Sequence, residues 1–160
     1  MTLIWTRVDQ KLIHGQISVA WVPYLGIDAI VVSDQDSAED AWAQKVMMMG
    51  LPPEVALIRF TAPDHLARLL ESRELSSRRV LVVFRNLEGV LEAVHSGLRL
   101  ERLNLGNQAP QGPNRNVRLA ESFYARGRDL DLLAELQRRG LEIVLQAVPN
   151  GKAVRWTPEE

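Results

Sequence analysis

Along the chain, short apolar runs rich in β-branched residues alternate with longer stretches in which apolar positions recur every three or four residues. The runs 3–5, 29–32, 56–60, 80–84, 102–105 and 143–148 read as buried strands. Between them, 15–23, 38–49, 65–71, 87–95 and 130–139 carry helical spacing. End signals support these limits: Ser37 stands before Ala38-Glu39-Asp40, Asp64 follows Pro63, and Gly97 and Gly140 each follow a helical run. Such alternation predicts an α/β fold, a three-layer sandwich with a mostly parallel central sheet and helices on both faces. No repeat, low-complexity tract or linker divides residues 1–160, so a single domain is expected. Turn formers crowd 107–116, predicting a mobile surface loop there. For the tail 151–160, with Pro158 and two terminal glutamates, fraying and packing through Val154 and Trp156 both remain open.

A chain of 160 residues buries about 70% of its unfolded surface, enough for one core without disulfide or metal. The net charge of −1 gives no basic excess for nucleic acid, so any cationic site must be local. With no cysteine, thiol catalysis, thiolate-bound zinc and disulfides are excluded. Nothing approaches about 18 uninterrupted apolar residues and the first seven have no leader pattern, so a soluble cytoplasmic protein is expected.

The segment Arg7-Val8-Asp9-Gln10-Lys11-Leu12-Ile13-His14-Gly15-Gln16 concentrates cations, an anion and an imidazole in the turn after the first strand. Ligands of parallel sheets bind where strand C-terminal ends meet helix N-termini, which is where His14 is expected. Imidazole, with an ordinary pKa near ~6.5, is a neutral nucleophile near pH 7 and a ready phosphoryl acceptor. A helix starting near Gly15 would aim N–H groups at an added phosphate, and Arg7 and Lys11 would neutralise its charge. Gly15 would permit a strained turn and close approach beside the nucleophile. Asp9 would orient His14 or hold Arg7, and Gln16 would donate to a phosphate oxygen. Arg85, directly after the fourth strand, either reaches the same phosphate or is a solvated loop arginine.

Other polar groups read more simply. Asp34, Asp36 and Asp40 beside Ser37 are helix caps and first-turn charges in preference to a metal site. His65 and His95 read as surface residues. Met47-Met48-Met49 reads as helix packing with some partner surface, and Trp21 and Trp42 as core or interface.

From Arg7 to Ile17, with Trp21 beyond, the sequence resembles the phosphorylation-site segment of IIB domains of mannose/sorbose-family sugar phosphotransferase systems. The resemblance continues through Val31-Val32-Ser33-Asp34, Val82-Val83-Phe84-Arg85-Asn86, Leu103-Asn104-Leu105-Gly106 and Gln146-Ala147-Val148-Pro149. It implies a phosphotransferase that accepts a phosphoryl group from a IIA phosphohistidine onto His14 and passes it to a sugar held by membrane subunits IIC and IID. It also implies peripheral association with those subunits and no cofactor or metal. In that family context Trp42 and Met47-Met48-Met49 suggest a homodimer contact, although a monomer also buries an apolar helix face. Two departures stand out: Lys11 replaces the usual Arg, and Asn107-Gln108-Ala109 follows Leu105-Gly106 where the family commonly has a further glycine and then a methionine. A regulatory phosphoprotein that uses phospho-His14 only to bind a partner is the alternative. A nucleotide-binding domain lacks its glycine-rich fingerprint.

Overall fold

The computed structural model describes residues 2–113 and 115–158. In chain order come β1 (Thr2–Asp9), a π-helical turn (Gln16–Trp21) running into α1 (Val22–Leu25), β2 (Ala29–Ser33), α2 (Gln35–Ala38), α3 (Ala41–Met49) and β3 (Leu57–Thr61). Then follow α4 (Leu66–Leu70), β4 (Arg79–Phe84), α5 (Leu87–His95), β5 (Arg102–Asn107), β6 (Asn116–Ala120) and β7 (Phe123–Arg126). The last elements are α6 (Gly127–Arg138), β8 (Glu142–Leu145) and β9 (Val154–Arg155). Asn114 of the turn-rich stretch and Glu159 and Glu160 of the tail lie outside the described residues.

Among the described residues the sheet has seven strands in the order β3-β2-β4-β1-β5-β8-β9, parallel except for the antiparallel β9. Both faces are covered, which is why β2 and β4 read as continuous apolar runs. Val31, Val82, Phe84, Leu103, Leu105 and Ile143 pack on one face with Leu66 of α4, Val90 of α5 and Leu136 of α6. Ile30, Val32, Leu81 and Val83 pack on the other with Leu12, Ile17, Trp21 and Val22. This is the expected three-layer α/β arrangement. β1 lies centrally: its own connection leaves toward β2 over the second face, while β4 reaches β5 past β1 by way of α5 on the first. The C-terminal end of β1 is therefore a topological switch point, the usual ligand position in open parallel sheets.

Several limits differ from the sequence reading. The first strand runs through Asp9, so Arg7 and Asp9 belong to the sheet and only the residues after them to the turn. The expected helix 38–49 begins later, at Ala41, and Ser37, expected as its cap, lies inside a separate short helix before it. Asp34 accepts from Ser37 N (3.2 Å) to start α2, and Asp40 accepts from Ala43 N (3.0 Å) to start α3. Asp64 caps nothing; a 3-10 turn Pro63–His65 leads into α4 with no side-chain cap. Gly97 (φ 109°) and Gly140 (φ 95°) do close α5 and α6 in the left-handed conformation that glycine adopts cheaply. The tail packs: β9 pairs with β8 and Trp156 is buried.

The stretch expected as a mobile loop is corrected most. Asn107 ends β5, Gln108 is buried, and Asn116 opens a β6–β7 hairpin. Its turn is Glu121-Ser122, with none of the Gly, Asn or Pro that mark hairpins, so the sequence carried no turn signal. Buried Asp129 holds this hairpin to α6. It accepts from Arg126 N (2.8 Å), Arg126 Nε (3.0 Å), Arg126 Nη2 (2.8 Å) and Gln108 Nε2 (2.9 Å). Burial alone would push its carboxyl up; the Arg126 bonds and charge outweigh that and hold it below the usual carboxylate range.

β1 also buries a cation. Arg7 is fully buried, and β5 gives it room through a bulge: Val8 faces Leu105 and Asp9 faces Asn107, leaving Gly106 as the extra residue. A Cβ on Gly106 would stand 2.2 Å from both Cζ and Nη2 of Arg7.

Two stability measurements test these points. Gly106→Ala drives a methyl into an immovable guanidinium and should cost about 3 kcal/mol in urea unfolding; a loss below 1 kcal/mol would contradict the packing. Asp129→Asn should cost about 2–4 kcal/mol at pH 7. The folded state binds fewer protons at Asp129, so its contribution is present above the unfolded pKa of about 4 and is lost as pH falls below it. The variant's stability should consequently fall less steeply than the wild type's below about pH 4.

Candidate active site

Four hydrogen bonds hold the buried Arg7 guanidinium, and an ion pair with Asp9 adds to them. Nε and Nη2 each lie 3.1 Å from Asp9 Oδ2, Nη2 also donates to Gln16 Oε1 (2.8 Å), and Nη1 donates to Asn104 Oδ1 (2.7 Å) and the Gln146 carbonyl (3.0 Å). The indole of Trp21 covers it at 5.6 Å, stacked in turn on Trp5 and donating to the Ala147 carbonyl (2.9 Å). Burial pulls the guanidinium below its ordinary pKa against the opposing pull of Asp9, yet arginine stays cationic. Fully buried and bonded on all three nitrogens, Arg7 acts on the site through Asp9 and Gln16 and not by a direct bond to phosphate.

Asp9, also fully buried, is the hub. Its Oδ2 lies 2.6 Å from His14 Nε2 and 3.0 Å from Asn107 Nδ2, and its Oδ1 accepts from Lys11 N (3.0 Å). Burial raises its pKa, but the His14 hydrogen bond, the Arg7 charge and the Asn107 bond together hold it below the carboxylate range. Asp9 thus touches both residues that the sequence paired it with, His14 and Arg7.

The turn between β1 and the π-helical segment carries the imidazole. Leu12 takes φ 56°, the one non-glycine in the left-handed region among the described residues, and it does so with its side chain buried. The strain lies there and not at Gly15, whose φ of −52° is ordinary and whose missing Cβ would meet nothing within 4 Å. The His14 carbonyl accepts from Ile17 N (2.9 Å), Ser18 N (3.0 Å) and Ser18 Oγ (3.2 Å), so its backbone is pinned to a π-helical turn, a form frequent at functional sites. The ring stays 20% exposed at the sheet edge.

Lys11 is exposed and its ammonium makes no bond among the described residues. Arg85 reaches the same edge but is tied down: Nε and Nη2 bind Asp34 Oδ2 (3.0 and 2.9 Å), Nη2 binds Ser37 Oγ (3.3 Å), and Nη1 binds the Gln10 carbonyl (3.4 Å). Asp34 is thus a cap and an Arg85 partner. Among the described residues no group of three His, Asp or Glu side chains is arranged to hold a metal. Trp21 is core, whereas Trp42 on α3 is 75% exposed and that helix buries no residue. His65 and His95 lie at the surface, His95 against Arg139.

Asn104, Asn107 and Gly106 belong to the site and were not singled out for it by the sequence. Their signal was the alternation within Leu103-Asn104-Leu105: the leucines face the α5–α6 side and Asn104 the Arg7 side. Two surface hollows, one at Trp5, Thr6 and Arg102 and one at Arg115, Leu130 and Trp156, do not include His14. With a fifth of its surface exposed at the sheet edge, the imidazole is accessible to an approaching group. No described helix is long and apolar enough to cross a membrane.

Comparison with known proteins agrees with this geometry. Residues 3–158 match the family model described as "PTS system sorbose subfamily IIB component". The N-acetylgalactosamine-specific phosphotransferase enzyme IIB component 2 of Escherichia coli is 29% identical over 154 residues, covering 95% of this chain and 94% of that one. The mannose-specific EIIAB component of Escherichia coli is 24% identical over 148 residues, which are 92% of this chain and 45% of the relative. The crystal structure of an N-acetylgalactosamine-specific IIB component 1 from Escherichia coli superposes with a TM-score of 0.88 at 24% identity, over 98% of this chain and 100% of that one. The chain belongs to the sorbose subfamily of IIB components, the phosphocarriers of sugar phosphotransferase systems.

Proposed function

We propose that His14 is the phosphoryl carrier of this IIB component and takes the group on Nδ1. The observation that carries the reading is the 2.6 Å contact between His14 Nε2 and the buried Asp9 carboxylate. A carboxylate accepts only, so Nε2 carries the proton and the Nδ1 lone pair is left for phosphorus.

The donor is a phosphohistidine on a IIA protein or domain, such as the IIA part named in the mannose-specific EIIAB relative. As the Nδ1–P bond forms, the donor's N–P bond breaks and its imidazole keeps the bonding pair. His14 then carries positive charge, which Asp9 compensates across the short hydrogen bond. In the second step a sugar hydroxyl oxygen bonds to phosphorus, its proton passes to a base at the sugar site, and the N–P pair returns to Nδ1. The sugar is held by membrane subunits IIC and IID, to which this chain docks from the cytoplasm. Neither step draws on a cofactor, since phosphoryl transfer needs in-line placement and charge compensation.

Lys11 supplies a free cation at the surface of the site, and Gln16 and the amides at Gly15 supply hydrogen-bond donors. Arg85 joins them only by giving up Asp34. Gly15, with nothing within 4 Å of a Cβ, leaves open space for the phosphoryl group and its donor. The apolar face of α3 serves protein contact, a homodimer included.

Incubation with phosphoenolpyruvate, the general phosphotransferase proteins and a cognate IIA should add one acid-labile phosphate to wild type and none to His14→Ala, read by intact mass. Phosphorus NMR of nitrogen-15-labelled protein should place it on Nδ1; label surviving in His14→Ala would sink the assignment. Asp9→Asn should slow transfer on the order of 10²-fold, because the ring loses the partner that fixes its tautomer. An Asp9→Asn rate equal to wild type would contradict that role.

A further inference from the structure

Asn107 joins Arg7 in setting the polarity of this network, and it stands where the family pattern commonly has glycine. Its Nδ2 lies 3.0 Å from Asp9 Oδ2 and 2.5 Å from Gln16 Oε1, so its two protons meet two acceptors. Asp9 accepts only, which fixes the NH2 end of Asn107 toward it. That NH2, together with the donor-only Arg7 Nη2 at 2.8 Å, fixes the oxygen of Gln16 inward. Reversing the Gln16 amide would set its NH2 against two N–H groups.

Gln16 Nε2 consequently points away from the network and makes no bond among the described residues. We propose that Asn107 is a positioning residue that holds Gln16 with its NH2 outward, as a ready donor to the phosphoryl group on His14. This role rests on the reading of His14 given above. Asn107 is itself held from two sides. Its carbonyl accepts from Gln10 N (2.9 Å), opposite Asp9 in the β1–β5 register. The next residue, Gln108, is buried and donates to Asp129 Oδ2 and the Tyr124 carbonyl, both at 2.9 Å. The β6–β7 hairpin and α6 thereby fix the position from which Asn107 works. A glycine at 107 would leave Gln16 held by Arg7 alone; in this chain Asn107 adds a second donor to the same oxygen.

The test is phosphorylation kinetics with a phosphorylated cognate IIA, together with side-chain amide NMR. Asn107→Ala should lower kcat about 10-fold with KM nearly unchanged, less than the 10²–10³-fold cost of deleting a preorganised donor outright. The Gln16 side-chain amide resonances should shift, while the backbone spectrum stays that of a folded protein. In a Gln16→Ala background, Asn107→Ala should cost clearly less than in wild type, the remainder being its separate bond to Asp9. Asn107→Asp, which offers only acceptors to Asp9 and Gln16, should be worse than Asn107→Ala. Unchanged kcat and unmoved Gln16 resonances in Asn107→Ala, with normal labelling of wild type, would overturn this inference alone. A wild-type protein that takes no phosphate on His14 would overturn the reading of the site and the role of Asn107 with it.

Discussion

The organisation of this domain follows from burying one guanidinium between β1 and its covering helix. An unpaired cation in that position would cost several kcal/mol. Arg7 avoids this through four hydrogen bonds and an ion pair, with acceptors drawn from β1, β5, the segment after β8 and the π-helical turn. Those acceptors must converge, so four parts of the chain are brought into register by one side chain. The bulge at Gly106 and the indole lid of Trp21 are the steric conditions for the same burial. The base of the site is accordingly part of the core, and a displacement of Arg7 would be felt in β5 and in the sheet.

Above that fixed base the chemistry is carried by a short, exposed turn. Asp9 transmits the rigidity of the sheet to the imidazole, while Leu12 absorbs the backbone strain of turning so tightly. Its buried side chain in the second apolar cluster keeps that strained residue in place. A group that must meet two successive partners needs an accessible nucleophile on a scaffold that does not reorganise between encounters. A ring one-fifth exposed on a fully buried carboxylate meets both needs.

Much of this was legible in the sequence where the signal was local. The continuous apolar runs of β2 and β4 and the glycines after α5 and α6 gave the layers, and the segment from Arg7 to Gln16 marked the site. The missing parts depended on distant partners. That Arg7 and Asp9 lie in a strand follows from pairing with β4 and β5, which no local periodicity reveals. The roles of Gly106 and Asn107 exist only because β5 passes beside Arg7 and Asp9. The β6–β7 hairpin has an unmarked turn, and the caps at Asp34 and Asp40 add a short helix before 38–49 and delay the start of that helix to Ala41. At Gly15 the expectation of strain failed because the tight backbone conformation falls three residues earlier, on a leucine.

The two residues of β9 have an effect out of proportion to their length. Val154 and Arg155 close the open side of β8 with an antiparallel cap too short to recruit another strand. At the opposite border of the sheet, β3 carries Arg59, locked to Glu74 by two 2.6 Å bonds. Charge on one margin and brevity on the other discourage strand addition at both sides of the sheet. A protein whose work consists of repeated docking and release has good reason to be so guarded, because an accidental shared sheet would turn a passing encounter into a lasting aggregate.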